Sequence, residues 1–464
     1  MDADLVPATG RDSRGLDVVD RVRAQPEDRL AGAAFAAAVV VATFVYAMVG
    51  RHQWFILDDW SVLITRRQIG VLDGTMHEYF VAQDGHWMTV PVILYRAIEG
   101  LFGLGSYWPF LVPVLIAHVA SVVLLRVVCR RVGVSPWTST LVCSIVLVLG
   151  SGWENIVFAV QITYNLTLLA FLAQLLLVDH DGPVDRRDVA GSVLAVIGTA
   201  SSGFGPFFVF GIALLLVIRR RWPAAAIGVL PSALAYVWWW ITYGGDPVAD
   251  TSGRPLGRLP AFVRLGVEST LQALVPLASL TGIVAVAVVA VLLLRRRDPG
   301  SHDVIVAMAA TMMFMFVGVG IERIGISIDI AASSRYVYMA VFLIVPSVAL
   351  AVDELRRPGR EYLVAGWILL AATTGVQSGL LVINGSDWAA QAQQERRELS
   401  LIAGAQLPDG FDQLQACVVF SVDVRCNQVG ILVEKGAIEP MRPVDDADRA
   451  FVAGLADGIV APDG

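Results

Sequence analysis

Two adjacent carboxylates set among aromatic rings give the chain its strongest chemical signal, in His52-Gln53-Trp54-Phe55-Ile56-Leu57-Asp58-Asp59-Trp60. The segment follows directly on an apolar run from about Leu30 to Val49. A carboxylate so close to lipid is costly unless paired, so its presence asks for a role. The alternative is an interfacial loop whose tryptophans anchor one helix and whose aspartates cap the next. His86, in Asp84-Gly85-His86-Trp87, could join the carboxylates.

Two further groups stand out. Glu154, Gln161 and Asn165 are spaced seven and four apart and so share one helical face, with Tyr164 close to it. Such a stripe reads either as a water-filled cavity or as interhelical hydrogen bonding by Gln and Asn. Later come Glu322, Arg323 and Asp329, then Ser333-Ser334-Arg335-Tyr336-Val337-Tyr338. The planar fork of Arg335 suits a phosphate, with tyrosine hydroxyls beside it; an arginine snorkelling from a helix end is the other reading.

The elements that must position these groups follow from composition. Of 464 residues, 56% are hydrophobic and 16% charged, against about 25% charged in a soluble domain, and the mean hydropathy is +0.66. Apolar runs of about 20 residues recur, the length that crosses a hydrocarbon core, and helices are the element that satisfies its own backbone there. Spans are expected near 30–49, 107–127, 136–151, 156–178, 189–201, 203–218, 223–243, 271–294, 303–320, 334–352 and 361–383, about eleven in all. The stretch 88–102 reads as a helix lying in the membrane surface.

Arginine clusters set the orientation. Arg130-Arg131, Arg186-Arg187, Arg219-Arg220-Arg221, Arg295-Arg296-Arg297 and Arg356-Arg357 with Arg360 fall at alternate ends of the runs. The positive-inside rule makes them cytoplasmic. The expected organisation is a cytoplasmic tail over 1–29, a transmembrane domain over 30–383 with a large first outer loop over 50–106, and an extracytoplasmic segment over 384–464. That places the protein in the plasma membrane as a multi-pass chain, N-terminus inside and C-terminus outside.

The fold class expected is all-α and polytopic, with a small C-terminal α/β segment outside. This segment starts with a helix from Asp387 to about Ala403 and includes a β-branched run around Val418–Val424. Cys417 and Cys426 lie where an oxidising compartment permits a disulfide, while Cys129 and Cys143 read as inert thiols. His118, inside the second span, reads as a packed hydrogen-bonding group. Net charge is −7 and no basic patch with interleaved aromatics appears, which gives nucleic-acid binding no support. No paired Cys-x-x-Cys, His-x-x-x-His, Walker or dinucleotide fingerprint occurs, which argues against a zinc hydrolase, an ATPase or a redox enzyme.

Taken together, the membrane part resembles the GT-C superfamily of polytopic glycosyltransferases, which use polyprenyl-phosphate-linked sugars. The similarity is carried by Asp58-Asp59 just after the first span, by Trp87-Met88-Thr89-Val90-Pro91 leading to Phe102-Gly103-Leu104, and by His118. The turn Ser201-Ser202-Gly203-Phe204-Gly205 and the late Ser334-Arg335-Tyr336 add to it. Where relatives often carry Arg-Pro after the first loop, this chain reads Trp-Met-Thr-Val-Pro. The resemblance implies sugar transfer from a polyprenyl-phosphate donor to a glycan or protein acceptor of the cell envelope, at the outer face of the bilayer. It implies Asp58 or Asp59 as base, and His86, Trp87, Glu154, Gln161, Asn165, Arg335 and Tyr336 around the substrates. A divalent metal, Mg or Mn, held by Asp59 and Glu154 is a further implied option beside Arg335 for the leaving phosphate. A transporter or flippase of lipid or glycan, and an envelope-assembly scaffold, are the non-enzyme alternatives.

Overall fold

The computed structural model describes residues 26–244, 255–274, 299–355, 360–405, 424 and 428–456. Among them no strand occurs, only an isolated bridge between Gln83 and His86. Helix α1 (Pro26–Gly50) leads into the first long loop, which holds α2 (Arg66–Asp73), α3 (Thr75–Phe80) and α4 (Thr89–Phe102). The bundle continues with α5 (Trp108–Arg131), α6 (Pro136–Leu147), the single turn α7 (Glu154–Val157), α8 (Ile162–Val178) and α9 (Arg186–Thr199). Then come α10 (Gly205–Ile218), α11 (Trp222–Tyr243), α12 (Leu259–Leu274), α13 (Pro299–Arg323) and α14 (Ser334–Leu355). Helix α15 (Arg360–Gly404) runs for 45 residues, and α16 (Val429–Glu434) and α17 (Asp446–Ala456) follow.

Six helices among the described residues are long and apolar enough to cross a membrane: Glu27–Gly50, Trp108–Arg131, Ala159–Val178, Trp222–Tyr243, His302–Arg323 and Ser334–Asp353. Their starts follow simple rules. Proline sits in the first turn of α5, α6, α10 and α11, where its missing N–H costs nothing. Glu27 and Asp28 face the positive end of the α1 dipole. Large apolar side chains such as Phe44, Ile116, Leu234 and Ile241 point outward, the exposure expected of a lipid-facing wall.

Of the other expected spans, 136–151 and 203–218 fold as shorter apolar helices, α6 and α10, and 189–201 falls on α9. Most of 271–294 lies outside the described residues. The span at 361–383 and the helix expected from Asp387 are one uninterrupted rod, α15. The helix runs on through the weak helix formers Asn384, Gly385, Ser386 and Asp387, so tertiary packing overrides their propensity there. Cys417, Cys426 and the run at 418–423 lie outside the described residues. Cys129 and Cys143 are buried and unbridged.

Arginines gather at one end of the bundle. Arg130 meets Asp28 at 3.1 Å, Arg131 and Arg219 both meet Asp179, and Arg221 meets Asp188 at 3.1 Å. Asp185 and Asp188 close a reciprocal cap at the start of α9, so this end is stitched across α1, α5, α8, α9 and α10.

Among the described residues two large apolar cores and a small third one, around Trp87 and Trp239, fill the molecule. The larger fills the bundle, around Leu125, Leu172, Phe208, Met308 and Phe342. The second joins the first long loop to the C-terminal part: Trp54, Phe55, Trp60, Ile64 and Tyr95 pack with Leu399, Ile402, Val429, Leu432 and Ile438. The tail from 384 onward therefore shares a core with residues 54–117. Trp388 and Leu115 touch both cores.

Candidate active site

The end of the bundle opposite the arginine cluster carries the ionisable residues singled out in the sequence. Asp58 and Asp59 open a helical stretch that widens into a π turn over Ser61–Thr65, a feature frequent at functional sites. Just before it, Leu57 adopts φ +50° and ψ −124°. That conformation is costly for a side chain with a Cβ, and persists where surrounding packing enforces it. It aims the two neighbouring carboxylates differently. Asp58 is half-buried and Asp59 fully buried.

Asp59 faces into the second core. It accepts the Tyr95 hydroxyl at 2.6 Å and the Tyr107 hydroxyl at 3.2 Å, while the Tyr107 oxygen accepts the Ala159 N–H at 2.7 Å. Burial pushes its carboxyl up to about 7 against the pull of these donors, and the charge of Asp58 adds to the rise. Asp58 instead lies within electrostatic reach of Tyr164, which stands beside Arg335.

Arg335 begins α14 and pairs with Glu154 at 3.2 Å. The Glu154 N–H donates to Ser334 Oγ at 3.1 Å, which fixes the α7 turn against the start of α14. Burial raises the Glu154 carboxyl, an effect that Arg335 opposes. Beside them the Tyr336 ring meets Phe204 at 5.8 Å, and Phe204 meets Tyr164 at 5.0 Å. Glu322 and Arg323, paired at 3.3 Å, act electrostatically on Tyr336 and on His86.

His86 reaches this cluster by a two-residue turn. Asp84 at φ +48° and Gly85 at φ +77° match a type I′ hairpin, and Gln83 and His86 exchange both backbone hydrogen bonds, at 3.0 and 2.8 Å. The imidazole lies against Gly203, where an added Cβ would come within 2.3 Å of Nδ1. Burial lowers its pKa, while Glu322 pulls it up. Trp87, next in sequence, turns away. It stacks on Trp239 at 5.6 Å with the planes 7° apart, and donates Nε1–H to Thr89 Oγ1 at 2.7 Å.

Gln161 and Asn165 lie beneath the cluster, both buried. Asn165 Nδ2 donates to the carbonyls of Asn155 and Gln161, and its Oδ1 accepts the Tyr338 hydroxyl at 2.6 Å. The Tyr338 oxygen is 2.8 Å from His118 Nδ1, and His118 Nε2 is 3.1 Å from the Leu147 carbonyl. These bonds lock α5, α6, α8 and α14 together. Interhelical bonding thus accounts for Asn165, while Glu154 faces the charged cluster.

The structure therefore brings Asp58, His86, Glu154, Arg335 and Tyr336 to one place and adds Tyr164, Glu322 and Arg323. Tyr164 carried a sequence signal, its position next to the Glu154–Gln161–Asn165 stripe; its place beside Arg335 did not. The carboxylates expected to share a metal are otherwise engaged, Asp59 by two phenols and Glu154 by Arg335. Among the described residues, His180, Asp185 and Asp188 lie close enough together to hold an ion. They sit at the arginine end, where Arg187 already holds Asp185, and Arg221 and His180 already hold Asp188.

No protein-family model matches the chain, and no curated protein matches it. Its structure is similar to that of ArnT from Cupriavidus metallidurans bound to undecaprenyl phosphate, with a TM-score of 0.50 and 12% identity over 92% of this chain and 89% of that one. At this identity the likeness is one of fold alone, that of a polytopic helical membrane protein.

Proposed function

We propose that this chain is a membrane glycosyltransferase that moves a sugar from a polyprenyl-phosphate donor to a cell-envelope acceptor on the outer face of the bilayer. The observation that carries this reading is the Arg335–Glu154 pair beside Tyr164, with Asp58 within electrostatic reach of that tyrosine, away from the arginine end. A fold shared with a protein solved with undecaprenyl phosphate supports the donor class.

Asp58 takes the proton from the acceptor hydroxyl as its oxygen attacks the anomeric carbon. The bond from that carbon to the phosphate oxygen breaks on the opposite side, with inversion. The departing lipid phosphate gains charge, which the Arg335 fork meets with directed donors. Glu154 holds the guanidinium in place, and Tyr164 and Tyr336 line its flank. Asp59, closed in by Tyr95 and Tyr107, anchors the loop that presents Asp58. Arg335 is the cation in this step, since Glu154 pairs with it and Asp59 accepts from Tyr95 and Tyr107.

This reading goes with the arginine end facing the cytoplasm, both the loop over 50–106 and the segment from 384 outside, and eleven spans in all. The test is a release assay. Purified protein receives a panel of polyprenyl-phosphate sugars and cell-envelope acceptor, and free polyprenyl phosphate is measured. Release by the wild type and its loss in Asp58→Asn is the expected result. No release by folded wild type across the panel overturns the reading, and uptake into sealed vesicles would then favour a transporter.

A further inference from the structure

Both halves of the candidate site hang on one helix. Toward its middle, α15 grips the turn that precedes Glu154: Gln377 Oε1 accepts the Ser151 N–H at 2.8 Å and Gln377 Nε2 donates to Ser151 Oγ at 3.0 Å. Here the backbones nearly touch, since a Cβ on Gly150 would lie 2.2 Å from the Gln377 carbonyl oxygen. Further along, the Trp388 ring packs edge-on against Trp153 at 5.3 Å and against Phe158 at 5.1 Å, the residues on either side of α7.

The same rod then takes hold of the Asp58 loop from both sides. Gln53 Nε2 donates to the Gly385 carbonyl at 2.7 Å, Gln393 Nε2 donates to the His52 carbonyl at 2.8 Å, and Trp60 Nε1 donates to Glu395 Oε1 at 2.8 Å. The Arg396 guanidinium lies 5.4 Å over the Trp54 ring. Glu395 and Trp60 are both fully buried, so their bond forms in a medium where an unpaired partner is costly.

From Gln377 to Glu395 an unbroken helix rises by about 27 Å. Within that length it is bonded or packed to Ser151, Trp153 and Phe158 around Glu154, and to His52, Gln53 and Trp60 around Asp58. We infer that residues 377–396 of α15 act as the splint that sets the separation of Asp58 from the Glu154–Arg335 pair, with Trp388 and Glu395 as its positioning residues. The inference rests on the glycosyltransferase reading for its catalytic consequence. Its mechanical content, one rod joining two loops, stands apart from that reading. A base and a phosphate-binding cation must flank a reacting carbon, and a misplacement of about 1 Å costs on the order of a hundredfold in rate. Neither the Asp58 loop nor the single turn α7 is long enough to fix such a distance alone.

The test uses the full chain in detergent or nanodiscs, with Trp388→Ala, Trp388→Phe, Glu395→Leu and Trp60→Phe variants. Each is measured for polyprenyl-phosphate release and for hydrogen–deuterium exchange over 52–60 and 150–158. Trp388→Ala is expected to lower kcat at least tenfold with KM for the donor within about twofold, and Trp388→Phe to restore most of it. Glu395→Leu and Trp60→Phe should each lower kcat, and the double variant should be no worse than the singles, because they break one shared bond. Exchange should rise in both segments when Trp388 or Glu395 alone is changed. Unchanged kcat with unchanged exchange in the folded variants overturns the proposal, as does a rise confined to the segment that the changed residue touches. If wild type releases no lipid phosphate, the glycosyltransferase reading fails, and the exchange pattern still decides whether α15 ties the two loops.

Discussion

Asp59 and Tyr95 meet oxygen to oxygen at 2.6 Å, both buried inside the core that the first long loop shares with the C-terminal part. Burial pushes the Asp59 carboxyl up to about 7, whereas an aspartate in an unfolded chain titrates near about 4. The folded state therefore binds a proton that the unfolded state releases between these values. That contribution is complete below about pH 4 and is lost as pH rises through about 7. Thermal melts of the wild type should fall between pH 5 and pH 8, by stability on the order of a few kcal/mol. Asp59→Asn should melt equally at both. A variant with the wild-type slope would assign the effect elsewhere.

Arg335 is expected to contribute through the shape of its fork as well as its charge. Arg335→Gln should lower kcat/KM for the lipid donor by about 10²–10³-fold, the scale of losing a donor aimed at developing charge. Arg335→Lys should recover only part, because an ammonium is a point charge without paired donors. Steady-state kinetics on the three proteins checks this, and full recovery by lysine would reduce the role of Arg335 to charge alone.

Tyr338→Phe isolates the buried hydrogen bonds beneath the site. Removing the hydroxyl leaves His118 Nδ1 and Asn165 Oδ1 without their shared partner. A cost of about 1–3 kcal/mol in stability is expected, with kcat retained because these groups do not face the charged cluster. A loss of kcat at unchanged stability would move Asn165 into the reaction.

Two glycine substitutions should separate site from scaffold. In Gly203→Ala the new methyl meets the His86 ring at 2.3 Å, and an imidazole on a hairpin can swing aside. The expected outcome is a folded protein with kcat down about tenfold. In Gly150→Ala the methyl meets backbone of α15 at 2.2 and 2.4 Å, which cannot yield without moving the helix. That variant should lose several degrees of melting temperature. Equal effects from both would remove the distinction.

Metal removal gives a simpler check. Since Arg335 supplies the cation in this reading, with Glu154 paired to it and Asp59 held by Tyr95 and Tyr107, exhaustive chelation should leave release unchanged. Loss of activity on chelation, restored by Mg2+ or Mn2+, would return a metal to the mechanism.

What was legible in the sequence follows from how local each signal is. Asp58, Glu154 and Arg335 stand out because ionisable groups beside apolar runs are rare, and the arginine clusters report their shared end for the same reason. The contrast between Asp58 and Asp59 is not legible, since it depends on one unusual backbone conformation at Leu57 and on two tyrosines 36 and 48 positions away. Nor is the stacking of Trp87 on Trp239, two rings from distant helices. A tryptophan poised for a sugar and one buried on another ring read alike in a linear sequence. The continuity of α15 was hidden because its apolar and polar halves look like two separate elements.

The Trp60–Glu395 bond spans 335 positions of the chain. During synthesis the loop carrying Trp54, Phe55 and Trp60 emerges early, while the residues that cover it arrive only after the rest of the bundle has been threaded through the bilayer. Closing so distant a contact comes late in folding, since the entropy of the intervening chain must be paid first. Until then Trp60 lacks its Glu395 acceptor and Trp54 the Arg396 guanidinium that covers it, a gap that chaperones and proteases can read. The carboxylate loop is thus completed only in a chain that has been inserted to its last helix, so that assembly itself checks the integrity of the product.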